Sequence, residues 1–273
     1  MKIGFIGFGE VASTLTKSLK SEGVEVYTCL VGRSPKTVEL AQSSSVNICP
    51  SFHLLADISD IILAAVVPAQ AVNVAKIIGK NFEGLYVDLN NISPSTVKEA
   101  LQQISKGKTV DAAIMGSVTR GVSVPIIASG KHARDFAELN SLGMNIEVVG
   151  DEVGQASAVK MLRSVYTKGV SALLFESLSA AYQMDIDDLV LKYLAETEGP
   201  NFKEIAASRI TNSILHGERR TQELEEVLNF LSKYEDPLMT QATLDLFRLI
   251  VDQGGPMKKK PDNYHKLFLK MSR

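Results

Sequence analysis

A parallel, doubly wound α/β sheet followed by an all-α segment is the fold class that this sequence of 273 residues predicts. Three observations carry it. Through about residue 150, short and nearly continuous apolar runs alternate with helical stretches, the pattern of strands buried on both faces. A Gly-x-Gly-x-x-Ala turn joins the first of these runs to the first helical stretch. Beyond Gly150 no segment alternates as a strand does, and every stretch repeats at helical spacing.

The elements follow in order. "KIGFIG" reads as a buried strand and Glu10–Glu22 as a helix stopped at Gly23. "VEVYTCLV" is the second strand. In "SPKTVELAQSSS", Ser34 stands as N-cap and Pro35 at the first helical position, where a missing N–H costs nothing. "VNIC", "DIILAAVV" and "GLYVDLN" supply further strands, with helical stretches 68–80 and 93–106 between them. "TVDAAIMG" and "VPIIAS" come next, then a helix from about Ala133 and a last strand, "NIEVVG". From Gln155 to Met184 no proline interrupts and Gly169 is the one glycine. As a helix that stretch would be about 45 Å long. The segments 186–197, 202–215, 218–233, 237–252 and 262–271 also read as helices. The expected organisation is an α/β domain over 1–152 and an all-helical domain over 153–273, joined by a long interdomain helix.

Composition excludes several classes. Hydrophobic residues make up 45% and charged ones 22%, ordinary for a globular protein. A formal net charge of −2 offers no basic patch for nucleic acid. The longest apolar run, Ile61 to Val67, is far short of the roughly 18 residues a membrane span needs. The apolar start is broken by glycines and followed by Glu10, unlike a signal peptide, so a soluble, unprocessed chain is expected. Cys29 and Cys49 sit in strand-like apolar runs and read as buried and reduced, which fits the cytoplasm. The Lys258-Lys259-Lys260 run reads as a solvated stretch. His53, His132 and His216 lack metal-ligand spacing, and no metal is expected.

The glycine turn carries the chemistry. In "GFIGFGEVA", Gly7 makes the tight turn, Gly9 lets backbone approach a pyrophosphate, and the small Ala12 lets helix pack on strand. Phe8, Glu10 and Val11 complete a loop whose amides, at a helix N-terminus, face the phosphate charge. Strand, turn and helix in that order make this a Rossmann dinucleotide site rather than a bare glycine pattern. A free ribose 2′-hydroxyl usually meets an acid at the end of the second strand. Here Gly32, Arg33 and Ser34 stand there, with Lys36 close by. A guanidinium and a hydroxyl suit a 2′-phosphate, so the cofactor expected is NADP. The plain alternative for Arg33 is a surface arginine that binds nothing.

Lys160, in "GQASAVKMLRSVYTKG", shares a helical face with Ala156, Ser157, Ser164 and Thr167. The opposite face, Ala158, Leu162, Val165 and Gly169, looks like core. Alone, a lysine on such a face simply reaches into solvent.

Four stretches now stand in order: "GFIGFGEVA", "DLNNISPST" at 88–96, "DAAIMGSVTRG" at 111–121 and "GDEVGQASAVKMLRS" at 150–164. Together they resemble the β-hydroxyacid dehydrogenase superfamily, which includes 6-phosphogluconate and 3-hydroxyisobutyrate dehydrogenases. "HGERRTQELEEV" and "DPLMTQATLDLF" resemble the C-terminal domain of its DUF1932-type NADP-binding branch. The resemblance spans nearly the whole chain and makes Lys160 the catalytic acid/base. Partial desolvation beside a cofactor would lower its pKa toward neutrality. Ser164 stands where the family commonly has a substrate-contacting asparagine. Met115 replaces the family's substrate-binding serine, and Ser117 falls on a usual glycine. Gly116, Ser117, Thr119 and Arg120 are then the candidates for a substitute substrate contact, or equally for turn chemistry. By the same resemblance Asn91 lies near the nicotinamide ribose, and Val66, Val67 and Pro68 line the cofactor's other side. His265 matches a second family lysine too poorly to be included.

The resemblance also implies a homodimer, expected through residues after 184, where Leu224, Val227, Leu228 and Leu231 form an apolar stripe. The alternative is that this stripe packs within the subunit. The function expected is an NADP-dependent oxidoreductase acting on a small hydroxy or keto compound, an acid. A C=N reductase of the imine type and a non-catalytic NADP sensor are the other readings. Lys160 stands against both, while loss of the serine and asparagine anchors favours the sensor.

Overall fold

In a computed structural model the chain divides into two compact units, Met1–Lys160 and Met161–Arg273. Residues 1–255, 261 and 263–271 are described, the side chain of Thr119 excepted. The Lys258–Lys260 run lies outside the described residues.

The first unit is a single eight-stranded sheet. Its strands are β1 (Lys2–Ile6), β2 (Glu25–Cys29), β3 (Asn47–Cys49), β4 (Ile61–Ala64), β5 (Leu85–Asp88), β6 (Lys108–Ile114), β7 (Pro125–Ser129) and β8 (Asn145–Gly150). They pair in the order β3-β2-β1-β4-β5-β6-β7-β8. The chain therefore builds outward from β1 to β3, then crosses back to β4 on the other side of β1. That reversal opens a crevice at the carboxyl ends of β1 and β4, where ligands of such sheets bind.

Helices α1 (Glu10–Ser21), α2 (Pro35–Ser43), α3 (Phe52–Ile58), α4 (Ala71–Gly79), α5 (Pro94–Leu101) and α6 (Ala133–Ala137) cover the sheet. Side chains alternate across each strand, so Ile3 and Phe5 join one core with Leu15 and Phe136. Ile6 and Ile62 join the other, with Leu55 and Val97. Cys29 and Cys49 are buried and free. Ser34 caps α2 by accepting from the Thr37 amide, as its sequence foretells, with Pro35 next.

Two features depart from expectation. β7 runs antiparallel to β6, so the sheet is mostly rather than wholly parallel. The link from Ile114 to Pro125 is too short for the crossover of a dozen or more residues that a parallel partner needs. The short helix α3 was hidden between two strand-like runs; Ser51 caps it by accepting from the Leu54 amide at 3.1 Å.

Helix α7 (Gln155–Gln183) carries the boundary between the units. The second unit continues with α8 (Asp187–Glu198), α9 (Phe202–Leu215), α10 (Gly217–Leu231), α11 (Leu238–Gly254) and α12 (Tyr264–Met271). Its core gathers Phe175, Leu178, Ile210, Ile250 and Phe268. Tyr264 donates to Asp187 at 2.9 Å and the His265 ring meets the same carboxylate, which ties α12 to α8. Burial opposes ionisation of Asp187, but these two partners outweigh it and hold its pKa below the usual value. Among the described residues no helix is long and apolar enough to cross a membrane.

α7 also corrects the face assignment made from sequence. Leu162, expected in the core, is 53% exposed, whereas Ser157 and Lys168 are buried. The polar side turns inward because Asp111 engages Ser157 and Glu223 engages Lys168. The apolar side, with Tyr166 and Leu173, is left outward.

Candidate active site

Every candidate cofactor residue of the first unit lies at or just beyond the carboxyl end of a parallel strand. Gly7 follows β1 with φ +84, and a Cβ there would stand 2.3 Å from the Ala65 carbonyl oxygen. No other residue fits that turn. Gly9 is the N-cap of α1 and lends it no side-chain hydrogen bond. A Cβ on Gly9 would meet nothing within 4 Å. The helix therefore presents its first amides to open space, the arrangement that receives phosphate oxygens. Glu10 is exposed in that first turn, Val11 half-buried, and Phe8 fully buried, its ring in the core beneath the loop.

A cavity of about 420 Å³ begins at this turn, lined by Gly9, Glu10, Ser13, Lys36, Thr37 and Leu40. Arg33 stands near its α2 side, held over the Phe52 ring at 5.6 Å. The Arg33 Nε is buried without a hydrogen-bond partner. Gly32 takes φ +70 and makes the turn out of β2. Ser34 accepts from the Thr37 amide at 3.3 Å, and its hydroxyl shares a hydrogen bond with the Thr37 hydroxyl at 3.1 Å. Open space at Gly9, the cavity and the orphaned Arg33 nitrogen all fit a phosphorylated dinucleotide. A slightly larger cavity, about 460 Å³, is lined by Lys98, Thr109, Lys131 and Asp151 among others. It sits at the amino end of β6, away from all these residues, where such sheets do not bind cofactors.

Beyond β4 and β5 lies a buried polar network. Asn90 accepts from the Val66 amide at 2.7 Å and donates its own amides to both oxygens of Asp88, at 2.9 and 3.0 Å. It thus fastens the Val66–Pro68 turn to the end of β5. Val67 projects outward, 65% exposed. The Asn91 Oδ1 is buried without a partner. Burial raises the Asp88 pKa to about 7; Asn90 opposes the rise, Asp111 adds to it, and Lys160 lowers it. Lys160 is therefore within electrostatic reach of the carboxyl end of β5.

Asp111 explains how Lys160 gets there. It pairs with Asp88 across β5 and β6 and is fully buried. One oxygen accepts from Ser129 at 3.1 Å and from the amides of Gly154 and Ser157 at 2.9 and 3.1 Å. The other accepts from the Ser157 hydroxyl at 2.6 Å. The Ser129 hydroxyl in turn receives the Ala156 amide at 3.0 Å. A sheet carboxylate thus caps the N-terminus of α7, satisfying amides that would otherwise be orphaned and offsetting the helix dipole. Lys160 follows Ser157 by about one turn, half-buried, and Ser164 follows Lys160 by another.

The loop after β6 holds the substrate candidates. The Met115 amide donates to the Pro125 carbonyl, which sets the start of the loop. Gly116, Ser117 and Arg120 are exposed beyond it. Arg120 lies in a 3-10 turn whose residues Val118 and Val122 pack on the core. The Thr119 side chain lies outside what is described. Asp88 and Ser129 were not singled out from sequence, nor was the role of Ser157 in holding Asp111, because Ser129 and Ser157 meet Asp111 from 18 and 46 residues away.

Comparison with known proteins gives the class. A family model described as "NADP oxidoreductase coenzyme F420-dependent" matches residues 2–92, and one for a domain of unknown function, DUF1932, matches 181–250. An uncharacterised 28.5 kDa protein of Methanothermus fervidus is 43% identical over 251 residues, which cover 92% of this chain and 99% of that one. A solved conserved protein of unknown function, described as structurally similar to 3-hydroxyacid dehydrogenases, is 48% identical with a TM-score of 0.79 over 92% of this chain and 97% of its own. The 2-(hydroxymethyl)glutarate dehydrogenase of Eubacterium barkeri is 30% identical over 192 residues, 65% of this chain and 62% of that one. The same fold occurs in a 3-hydroxyisobutyrate dehydrogenase of Mycobacterium tuberculosis (11% identical, TM-score 0.77, covering 100% of this chain and 99% of that one). It occurs also in a Myxococcus stipitatus imine reductase solved with NADP+ (18%, 0.57, full coverage of both). The class is that of NADP-dependent oxidoreductases with the hydroxyacid dehydrogenase fold. Within it, the chain belongs to the β-hydroxyacid dehydrogenase superfamily, in the branch that carries the DUF1932 domain.

Proposed function

We propose that this protein transfers a hydride between NADP(H) and a small hydroxy or keto compound bearing an acidic group, with Lys160 moving the proton. The observation that carries the proposal is the Asp111 cap, which fixes the first turn of α7 and so holds Lys160 within reach of Asp88 at the carboxyl end of the sheet. The nicotinamide, when bound, accepts or supplies the hydride. In the oxidation direction Lys160 takes the hydroxyl proton as the hydride leaves the carbon; in reduction it returns a proton to the carbonyl oxygen. The amides from Gly7 to Val11 hold the pyrophosphate, and Gly32, Arg33 and Ser34 hold the 2′-phosphate. Val66, Val67, Pro68 and Asn91 border the nicotinamide half. Ser164, Gly116, Ser117 and Arg120 orient the substrate. A lysine at the proton-transfer position supports this assignment over an imine reductase or a sensor. The buried free cysteines are compatible with a reducing cytoplasm.

The cofactor assignment predicts that NADPH binds at least tenfold tighter than NADH, about 1.4 kcal/mol. Arg33→Asp should erase or invert that preference. Fluorescence titration of the two nucleotides decides it, and equal affinities in the unaltered protein would remove the 2′-phosphate role from Arg33.

We also propose a symmetric homodimer, though not through the stripe expected from sequence. Leu224, Val227 and Leu231 are buried within the subunit, and Leu228 packs against the same core. What supports a partner is instead the exposed apolar side of α7 and α8: Leu162, Tyr166, Leu173, Leu189 and Tyr193 are each more than half exposed. Light scattering at micromolar concentration should give twice the 29.6 kDa chain mass. A monomer at that concentration overturns the assembly.

A further inference from the structure

The turn out of β2 treats one of its side chains unlike the rest. Val31, Gly32, Ser34, Pro35 and Lys36 are exposed, whereas Arg33 among them is half-buried. The backbone there is fixed on both sides. The Arg33 amide donates to the Leu30 carbonyl at 3.1 Å, Gly32 takes a left-handed φ, and Ser34 is held extended as the cap of α2 ahead of Pro35. The side chain is fixed by another segment of the chain. Its guanidinium carbon lies 5.6 Å from the centre of the Phe52 ring, and its Nε is enclosed without a hydrogen-bond partner among the described residues.

Phe52 reaches that place through the sheet. β2 and β3 run parallel, with their last residues, Cys29 and Cys49, in register. Arg33 follows Cys29 by four residues and Phe52 follows Cys49 by three, so both leave the sheet at the same carboxyl edge. Ser51 caps α3 by accepting from the Leu54 amide and so sets Phe52 as the first helical residue. The ring packs partly against the core that holds Leu55 and Ile62. In the strand order β3-β2-β1, Phe52 stands one strand farther from the glycine turn than Arg33 does. It backs the arginine from the side away from that turn.

A surface arginine that binds nothing gains little from this arrangement. Enclosing Nε unpaired costs free energy, and ordering so long a side chain costs rotamer entropy. A cation over an aromatic face offsets part of that cost. The result is a guanidinium held in one orientation before any ligand arrives, so an arriving phosphate need not order it.

We infer that Phe52 is a positioning residue for nucleotide selection: its ring orients Arg33 toward the 2′-phosphate and so sets part of the preference for NADPH over NADH. The inference rests on the 2′-phosphate role proposed for Arg33. Phe52 acts only through the guanidinium, so its effect should vanish where the guanidinium or the 2′-phosphate is missing.

Fluorescence titration of NADPH and NADH tests this with Phe52→Leu, Phe52→Tyr, Arg33→Gln and the double variant that combines Phe52→Leu with Arg33→Gln. Phe52→Leu keeps an apolar side chain for the core and removes the aromatic face. It should weaken NADPH binding about fivefold, the size of a partly buried cation–π contact, and leave NADH affinity unchanged. Phe52→Tyr, which restores the face, should bind NADPH as the unaltered protein does. In the Arg33→Gln background, Phe52→Leu should change NADPH affinity no further, because the two side chains act as one unit. An NADPH loss matched by an equal NADH loss is what packing of α3 alone would give, and it overturns the inference. So does an undiminished effect of Phe52→Leu in the Arg33→Gln background. So does an unaffected Phe52→Leu protein where Arg33→Gln alone abolishes the selectivity. An Arg33→Gln protein that keeps its full preference for NADPH overturns the 2′-phosphate role of Arg33, and the inference with it.

Discussion

Lys160→Met should cut turnover by about 10²–10⁴, the contribution of a well-placed acid or base, and leave NADP binding almost unchanged. Gly7 and Gly9 shape the glycine turn by backbone alone, and the α1 amides point into open space without help from α7. Methionine keeps much of the unbranched stem that packs along the helix, so a loss of folding should not masquerade as a loss of chemistry. Ser164→Ala is the companion measurement, and it should mainly raise the Michaelis constant, because a hydroxyl that orients substrate moves no proton. Steady-state kinetics with NADPH and a panel of small keto acids supplies both values, and titration of NADPH fluorescence supplies the binding control. A Lys160→Met enzyme that keeps most of its turnover would make this lysine a solvated side chain.

The largest expected loss of stability comes from Asp111→Ala. Truncation strands the amides of Gly154 and Ser157 and the hydroxyls of Ser129 and Ser157 in a buried site. Each stranded group costs about 1–3 kcal/mol, and partial relaxation leaves a total of about 3 kcal/mol or more. For a unit of this size that lowers the melting temperature by about 6–12 °C. Asp111→Asn should cost less, since one amide oxygen still accepts while its NH2 opposes the remaining donors. Calorimetric melting of the two variants checks the order. If Asp111→Ala melts within a degree or two of the unaltered protein, the cap on α7 is not what holds the helix to the sheet.

Much of the fold was legible because its signals are local. Apolar runs such as "DIILAAVV", the Ser34-Pro35 cap and the Gly7 turn each declare themselves within a few residues. The direction of β7 did not, because an apolar run is the same read either way; the shortness of its link to β6 held the clue. α3 was missed because seven residues give barely two turns of periodicity. The α7 faces were assigned backwards for a deeper reason. Periodicity says which residues share a side, while the partner decides which side is inside, and the partners Asp111 and Glu223 are remote in sequence. The apolar stripe of α10 was ambiguous in the same way, since a subunit core and a subunit interface ask for the same side chains. At the site, Arg33 was visible from its position at a strand end, but Phe52, which holds it, was not. Lys160 was visible only through family resemblance, because the carboxylate that places it stands 49 residues earlier.

The Asp111 cap has a consequence for how the molecule responds to heat. Asp111 and the Ser129 hydroxyl hold the first turn of α7, with Ala156 packed on Ala113 and Ile127, whereas the glycine turn rests on the interior of the sheet, with Ile3, Phe5 and Phe8 wholly enclosed. Local opening takes its free energy from the contacts it breaks, so the first turn of the helix can come loose while β1 and α1 stay folded. Nucleotide affinity and chemical competence, on the assignment proposed here, therefore belong to segments held by different sets of contacts. On warming, a population would arise that still holds its nucleotide and no longer has a proton carrier in register.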